Sequence, residues 1–295
     1  MGEILVGTSS WADRLLLASG WYPKSVNTPA GRLAYYAERF PIVEVDTSYY
    51  AIPAVETSRA WVERTPDDFT FNVKAFSLLT GHSTPVDKLP ADLRPYTSRR
   101  TVRRADLPES TVDIVWERFH EFVAPIASAG KLGVVLLQFP PWLVCTDAGR
   151  RRIAHTVERC RPLPVAVELR HGSWFTDQRR SLETLTFLVE LGASFCCVDM
   201  PQGSETSVPP ILVGTADPVV IRFHGHSHAW DTGDKQEKFR YAYTEQELRA
   251  WVRRIRPLAE ESDAVHVLLN NCCGDQAQKD AARLRDLISA TTAAA

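Results

Sequence analysis

Eight strand-like runs separated by helical patterns are the feature of this 295-residue chain that most restricts its fold. Most of the runs are apolar and rich in β-branched residues, as is typical of parallel strands covered by helices. The runs are residues 3–8, 42–47, 69–74, 133–138, 164–169, 194–199, 219–224 and 264–270. The helical patterns are residues 30–40, 55–64, 111–129, 148–160, 178–191, 244–260 and 277–289. This alternation predicts an α/β fold, a TIM-like (β/α)8 barrel.

The connection between the sixth and seventh runs does not match a helix. Residues 200–218 carry too much proline and glycine for an ordinary helical pattern. We therefore expect an irregular barrel whose helix between strands six and seven is missing or replaced by a loop. A doubly wound open sheet is the alternative, but no glycine-rich dinucleotide fingerprint follows the first run. We expect a single barrel domain over residues 1–290, with a disordered tail at 291–295.

Composition and charge are those of an ordinary globular protein. The hydrophobic fraction is 44%, the charged fraction 24% and the net charge −2, which gives no global attraction to nucleic acid or anionic lipid. No apolar run approaches the ~18 residues that a membrane helix needs. The N-terminus begins directly on a strand pattern, without a basic region or a cleavage site. We therefore expect a cytoplasmic protein with no membrane partner, and the oligomeric state stays open.

Several of the runs place charged or amide side chains on one face near the end of the strand. Strand side chains alternate between two faces, so a polar set facing inward implies a lined cavity. Burying so many charges is unfavourable unless they pair or meet a ligand, and barrels keep their active sites at the C-terminal face. The predicted ring of polar residues is Glu44, Asp46, Asn72, Lys74, Gln138, Glu168, Arg170, Asp199, Arg222, His224 and Asn270.

Two carboxylates, a lysine and a histidine are the candidate catalytic residues. Glu44 and Glu168 lie at corresponding depths on the second and fifth strands. Glu44 is the candidate general acid or base, and Glu168 is either its counterpart or a nucleophile. His224 ends the seventh strand and is the candidate for proton transfer. Lys74 is expected to stabilise developing negative charge.

The cationic residues of the ring suit the binding of an anion. Arginine presents a planar fork to carboxylate or phosphate, which favours this role for Arg170 and Arg222 beside Lys74. The alternative interpretation is charge balance within the barrel. In that case Glu44 pairs with Lys74, and Glu168 pairs with Arg170 or Arg222.

Aromatic and amide residues near the strand ends are further candidates for substrate binding. Trp11, Tyr49 and Tyr50 could stack on a sugar or a base, or could instead cap the barrel by packing. Asn270 and Asn271 suit contacts with hydroxyl or carbonyl groups, or could instead order the turn. The other expected substrate-binding residues are Asp46, Asn72, Gln138, Arg170, Asp199 and Arg222.

A histidine triplet follows the seventh strand. His224, His226 and His228 alternate along the chain, and with a carboxylate could hold Zn²⁺ or Mn²⁺. Against this, Gly225 and Ser227 between them indicate a flexible loop. We expect no cofactor, with a divalent metal at these histidines as the alternative.

The longest connection, residues 75–110, contains five arginines among prolines. It follows a strand and therefore lies at the C-terminal face, where a long loop often acts as a lid or binding element. A solvated charged insertion is the alternative. The arginines that could follow a phosphate backbone are Arg94, Arg99, Arg100, Arg103 and Arg104.

Local strings along the whole chain resemble the YecE-like family, also known as domain of unknown function 72. The earlier strings are Val6-Gly7-Thr8-Ser9-Ser10-Trp11, Gly20-Trp21-Tyr22-Pro23, Leu33-Ala34-Tyr35-Tyr36-Ala37, Val43-Glu44-Val45-Asp46-Thr47-Ser48-Tyr49-Tyr50 and Phe69-Thr70-Phe71-Asn72-Val73-Lys74. The later strings are Leu137-Gln138-Phe139-Pro140-Pro141, Val167-Glu168-Leu169-Arg170-His171-Gly172-Ser173-Trp174, Arg222-Phe223-His224-Gly225 and Leu269-Asn270-Asn271. The resemblance implies an irregular TIM-like barrel but little chemistry, because the family is named for lacking an assigned function.

The chain departs from the family pattern in two places. Cys272-Cys273-Gly274-Asp275 follows the paired asparagines, where the family often has asparagine or aspartate with aromatic residues. His226 follows Gly225, where an arginine is usual in the family. A phosphate-binding role of that arginine is therefore not transferred to this chain.

These observations favour an enzyme, a hydrolase, lyase or isomerase that performs acid–base or hydrolytic chemistry without a metal. The expected partner is a small polyhydroxylated or anionic substrate. The alternative is a nucleic-acid-binding or phosphodiesterase-type protein that resembles the barrels of abasic-site endonucleases, although architecture alone is weak support for it. A barrel that has lost catalysis and only senses a ligand is a third interpretation.

Overall fold

The computed structural model describes residues 2–94, 97–230, 232 and 235–292, and its centre is a closed barrel of eight parallel strands. The strands are β1 (Glu3–Thr8), β2 (Ile42–Val45), β3 (Thr70–Lys74), β4 (Thr84–Pro85), β5 (Thr101–Val102), β6 (Leu132–Gln138), β7 (Val165–Glu168), β8 (Ser194–Asp199), β9 (Val219–Phe223) and β10 (Ala264–Leu269). All except β4 and β5 belong to the barrel, and those two pair with each other as a short antiparallel ladder. The predicted TIM-like fold is confirmed.

The barrel closes between its first and last strands. β10 pairs with β1 along its whole length, from Glu3 opposite Ala264 to Thr8 opposite Leu269. On the other side β1 and β2 approach so closely that a Cβ atom at Gly7 would lie 1.9 Å from the carbonyl oxygen of Ile42. Only glycine fits at this position, because any side chain would overlap the backbone of β2.

Helices surround the barrel, and several begin where the sequence predicts. The helices of the described residues are α1 (Arg14–Ala18), α2 (Pro29–Ala37), α3 (Thr47–Tyr50), α4 (Val55–Glu63), α5 (Glu109–Ser128), α6 (Asp147–Cys160), α7 (Gln178–Glu190), α8 (Lys235–Lys238), α9 (Glu245–Glu261) and α10 (Gln276–Thr292). The Thr28 hydroxyl accepts the Gly31 N–H at the start of α2, and Thr244 forms a capping box with Glu247 at the start of α9. Side-chain caps of this kind satisfy N–H groups that have no partner within the helix.

The predicted gap in the helical layer is confirmed. Residues 200–218, which connect β8 to β9, contain no helix. The short helices α1 and α3, which the sequence patterns do not predict, follow β1 and β2 directly and lie at the C-terminal end of the barrel. Residues 291 and 292, placed in the expected tail, belong to α10, and residues 293–295 lie outside the described residues.

The interior of the barrel is partly polar, while apolar residues fill the layer between strands and helices. In the lower part of the interior His266 Nδ1 lies 3.0 Å from Asn72 Oδ1. A Cβ atom at Gly133 would lie 2.3 Å from the same Asn72 oxygen, so the absence of a side chain makes room for this pair. Within the described part of the chain, no helix is both long and apolar enough to cross a membrane.

Candidate functional site

A cavity of about 520 Å³ opens at the C-terminal mouth of the barrel. We call it the mouth cavity. Seven of the side chains predicted to bind or transform a substrate line it, and they follow or end five different strands. These residues are Asp46, Tyr49, Tyr50, Lys74, Gln138, Arg170 and Asn270. A cavity of this size is typical of small-molecule sites, and its position is the one that barrel enzymes use.

Lys74 and Asp46 form an ion pair on the wall of this cavity. Lys74 Nζ lies 2.8 Å from Asp46 Oδ1, and the ammonium group also lies 4.4 Å from the centre of the Tyr49 ring. In the charge-balance alternative the pair of Glu44 with Lys74 is wrong, whereas Glu168 does pair with Arg170 and with Arg222. The register of the strands gives the reason for the first result. Glu44 stands opposite Asn72, so Lys74, two residues further along β3, lies at the level of Asp46.

Arg170 lies at the floor of the mouth cavity and is held from below. Its Nε forms an ion pair with Glu168 Oε1, and its guanidinium group lies 5.6 Å from the centre of the Trp230 ring. Because Glu168 is fully buried, this contact fixes the arginine against the strand ends. Arg170 also lines the mouth cavity, where a guanidinium group suits the binding of an anion.

Beneath the cavity floor, Arg222 joins the two predicted catalytic carboxylates. Its guanidinium group donates to Glu44 Oε1 at 2.5 Å and to Glu168 Oε2. All three side chains are at most 1% exposed, and none of them lines the mouth cavity. The two carboxylates therefore bind an arginine that spans the interior of the barrel.

The pKa values of the two carboxylates are shifted in opposite directions. Burial raises the pKa of Glu44 above its usual value, despite the opposing pull of Arg222 and Lys74. Burial acts in the same sense on Glu168, but Arg170 and Arg222 outweigh it and hold the pKa of Glu168 well below its usual value. The ionised form is therefore favoured at Glu168, and the protonated form is favoured at Glu44 relative to a free glutamate.

His224 is a neutral residue of the barrel interior. Burial and the nearby Arg170 lower the pKa of His224 to about 3. The Asn270 amide donates to His224 Nδ1 at 2.9 Å, which leaves the ring proton on Nε2, facing Glu168 Oε1 at 3.5 Å. Like the carboxylates, His224 is fully buried and does not line the mouth cavity.

Besides Arg222, four predicted substrate-binding residues do not line the cavity. Trp11 packs edge-on against Trp61. Asn72 lies in the lower interior beside His266. Asp199 accepts a hydrogen bond from Tyr243 at 2.6 Å and binds His226. Asn271 donates to the Tyr241 carbonyl and to Asp280. For each of these residues the structure favours a packing or turn-ordering role.

The mouth cavity also contains residues that sequence reasoning missed. Ser9, Ser10 and Thr47 directly follow β1 or β2, so the rule that places sites at strand ends could have found them. Asp13, Arg14, Phe239 and Cys272 carry no such signal. The Ser9 hydroxyl is buried and has no hydrogen-bond partner among the described residues, although it lies at the cavity wall.

The histidine triplet does not converge on one point. His224 contacts Asn270 inside the barrel, whereas His226 Nε2 lies 2.8 Å from Asp199 Oδ1 on the other side of Gly225. In the described ranges, no three His, Cys, Asp or Glu side chains lie close enough together to hold a metal ion. The geometry expected for a metal at these histidines is therefore not present.

The arginines of the long connection have different environments. Arg94 donates to the carbonyl groups of Leu89 and Asp87, and so stabilises the loop itself. Two others pair with carboxylates, Arg99 with Asp106 and Arg104 with Glu109. Arg103 lies 6.0 Å from the ring of Trp142, and Arg152 lies 5.3 Å from the same ring.

A closed parallel barrel with a polar cavity at its C-terminal mouth defines a TIM-like α/β barrel protein. The sequence model of a family described as protein of unknown function DUF72 matches residues 5–295. The chain therefore belongs to the DUF72 family, for which YecE-like is another name. The protein is 30% identical over 292 residues to the UPF0759 protein YunF of Bacillus subtilis, an alignment that covers 97% of this chain and 94% of YunF.

Solved structures of two family members have the same architecture. A DUF72 family protein of Enterococcus faecalis is 26% identical and superposes with a TM-score of 0.78, over 97% of this chain and 95% of that one. A DUF72 family protein of Thermotoga maritima is 24% identical with a TM-score of 0.79, over 97% and 99% of the two chains. These likenesses extend over the whole barrel.

Proposed function

We propose that this protein is an enzyme that binds a small anionic, hydroxyl-bearing compound in the mouth cavity and transfers protons to or from it. One observation carries the proposal: Lys74 and Arg170 face the same cavity, and Asp46 lies 2.8 Å from the Lys74 ammonium. The cavity thus combines cations that can hold an anion with a carboxylate–ammonium pair that can exchange a proton.

The charges on the cavity wall support an anionic substrate. Three cationic side chains, Arg14, Lys74 and Arg170, face two carboxylates, Asp13 and Asp46, which leaves one positive charge in excess. Asp13 is already engaged, since it accepts backbone N–H groups at the start of α1. The hydroxyl, phenol and amide groups of the wall suit a substrate with several hydroxyl groups. Those groups belong to Ser9, Ser10, Thr47, Tyr49, Tyr50, Gln138 and Asn270.

In this proposal Asp46 and Lys74 exchange protons with the substrate. Glu44 and Glu168, which the sequence analysis expects in that role, act from beneath as positioning residues because neither lines the cavity. Glu168 holds Arg170 in place, and the raised pKa of Glu44 weakens its competition with Asp46 and the substrate for the positive charge of Lys74. His224 supports Glu168 in its ionised form.

The test follows proton transfer directly. Purified protein is incubated in D₂O with a panel of sugar phosphates and sugar acids, and ¹H NMR detects exchange of C–H for deuterium or new product signals. We expect one of these compounds to react, and Asp46→Asn and Lys74→Met each to lower the rate about a hundredfold or more. Arg103→Met serves as the matched control, since Arg103 does not line the cavity. Unchanged rates in both cavity variants, or no reaction across the panel, would contradict the proposal.

A nucleic-acid-binding function is the second candidate, and one surface feature favours it. Trp142 is 45% exposed, and the guanidinium groups of Arg103 and Arg152 lie within 6.0 Å of its ring. A flat exposed ring flanked by arginines can stack on a base while the cations contact phosphates. We expect a salt-dependent gel shift with single-stranded DNA that Trp142→Ala and Arg103→Met abolish. Absence of binding at low salt would remove this candidate.

A further inference from the structure

A second cavity of about 360 Å³ adjoins the mouth cavity. We call it the side cavity. Gln138, Arg170 and Phe239 line both cavities, so the two cavities are neighbours and Arg170 lies at the boundary between them. The side cavity lies between the loops that follow β6, β7, β8 and β9.

The side cavity has an aromatic wall. The rings of Trp230 and Phe239 meet edge to face with their centres 5.6 Å apart, and both are only partly buried. Below them the fully buried ring of His224 lies 5.9 Å from the centre of Trp230. Two partly exposed aromatic rings supported by packing from below form a wall on which a flat group can lie.

The electrostatics of the two cavities differ. The side cavity contains the cations Arg170 and Lys238, and no carboxylate is among the described residues that line it. In the mouth cavity, by contrast, Asp13 and Asp46 balance most of the positive charge. Arg170 lies between the two cavities, with Lys74 in the wall of one and Lys238 in the wall of the other. An anion at Arg170 therefore has a further cation on each side, although Glu168 already pairs with the arginine Nε from below.

We infer that the substrate has two parts joined at the atom that bears its anionic group, a hydroxylated part in the mouth cavity and a planar, aromatic part in the side cavity. The anion lies at Arg170, and the planar part packs against Trp230 and Phe239. This inference rests on the proposed function in one respect, that the substrate binds at the mouth of the barrel. It adds the substrate class: a phosphate or carboxylate that carries a flat ring.

The test compares four ligands by isothermal titration calorimetry of the full-length protein: inorganic phosphate, phenyl phosphate, acetate and benzoate. We expect the ring to increase affinity about tenfold within the phosphate pair or the carboxylate pair. Trp230→Ala removes this gain but leaves the affinity for the ring-free anion within about twofold, whereas the conservative variant Trp230→Phe keeps most of the gain. Lys74→Met weakens both members of the preferred pair equally. If Trp230→Ala folds poorly, Phe239→Leu serves as the second variant. We expect it to remove the increase in affinity that the ring gives.

The outcomes separate the two proposals. If the ring gives no gain in either pair, or Trp230→Ala keeps the gain, the inference about the side cavity is wrong while the mouth cavity stands. If Trp230→Ala removes the gain but Lys74→Met changes nothing, the side cavity stands and the proposed role of Lys74 is wrong. If none of the four ligands binds the wild-type protein, both proposals are overturned.

Discussion

Among single residues, Arg222 explains how the barrel interior holds two carboxylates. Its guanidinium group binds Glu44 and Glu168 at once, and all three side chains are shielded from water. Paired charges of this kind are tolerated in an interior, whereas removal of one partner leaves a buried charge without compensation. The stability of this interior therefore depends on Arg222.

Replacement of Arg222 by methionine should lower the free energy of unfolding by about 3–5 kcal/mol, measured by urea denaturation. The matched control is Arg249→Met, which breaks the exposed pair with Glu245 and should change stability by less than about 1 kcal/mol. Equal effects of the two substitutions would show that the buried network does not stabilise the fold.

The sequence predicts which residues face the barrel interior better than it predicts which of them pair. Strand alternation correctly places Glu44, Lys74 and Arg222 on the inner face, because that depends only on a period of two. The partners depend on the register between strands, which sets Lys74 beside Asp46 and leaves Glu44 to Arg222. Register is a property of the assembled sheet, so the pairing could not be read from the separate strands.

At the scale of elements, the barrel strands are predictable because each is a compact apolar run. The helices α1 and α3 are not, because they have only five and four residues and show no helical period. They nevertheless border the mouth cavity, since Arg14 begins α1 and Tyr49 lies in α3. The sequence therefore predicts the site least completely where short helices border the cavity.

The approach of β1 to β2 gives a test at this scale. Gly7→Ala places a methyl group 1.9 Å from the Ile42 carbonyl oxygen, so the two strands must move apart. We expect a loss of about 1–3 kcal/mol or more in the free energy of unfolding, measured by urea denaturation. In the control Gly172→Ala the nearest atom lies 3.4 Å from the new methyl group, an ordinary contact. If Gly7→Ala lowers the free energy of unfolding no more than this control does, the space between β1 and β2 is wider than the structure shows.

For the whole molecule, buried histidines couple stability to pH. Burial lowers the pKa of His266 to about 4 and that of His224 to about 3. Below pH 6.5 these histidines are protonated in the unfolded chain but stay neutral in the folded protein. The free energy of unfolding therefore decreases as the pH is lowered. Glu44 acts in the opposite direction, because its raised pKa favours the folded state at low pH.

A single substitution isolates the contribution of His266. Between pH 6.5 and pH 4 the wild-type protein should lose on the order of 2 kcal/mol more stability than His266→Gln, because the variant has no imidazole to protonate. Urea denaturation at a series of pH values measures this difference. The control is Leu268→Ala, in the same strand, which should lower the free energy of unfolding by an amount that does not change with pH. Parallel pH profiles for wild type and His266→Gln would contradict the assignment of a low pKa to His266.

The central claim is that Lys74 and Arg170 form an anion site at the mouth of the barrel. The most direct measurement is a crystal structure of the protein with inorganic phosphate. We predict phosphate oxygens about 3 Å from Lys74 Nζ and from the Arg170 guanidinium group. A phosphate bound instead between Arg103 and Arg152, with the mouth cavity free of it, would contradict the claim and favour the nucleic-acid-binding alternative.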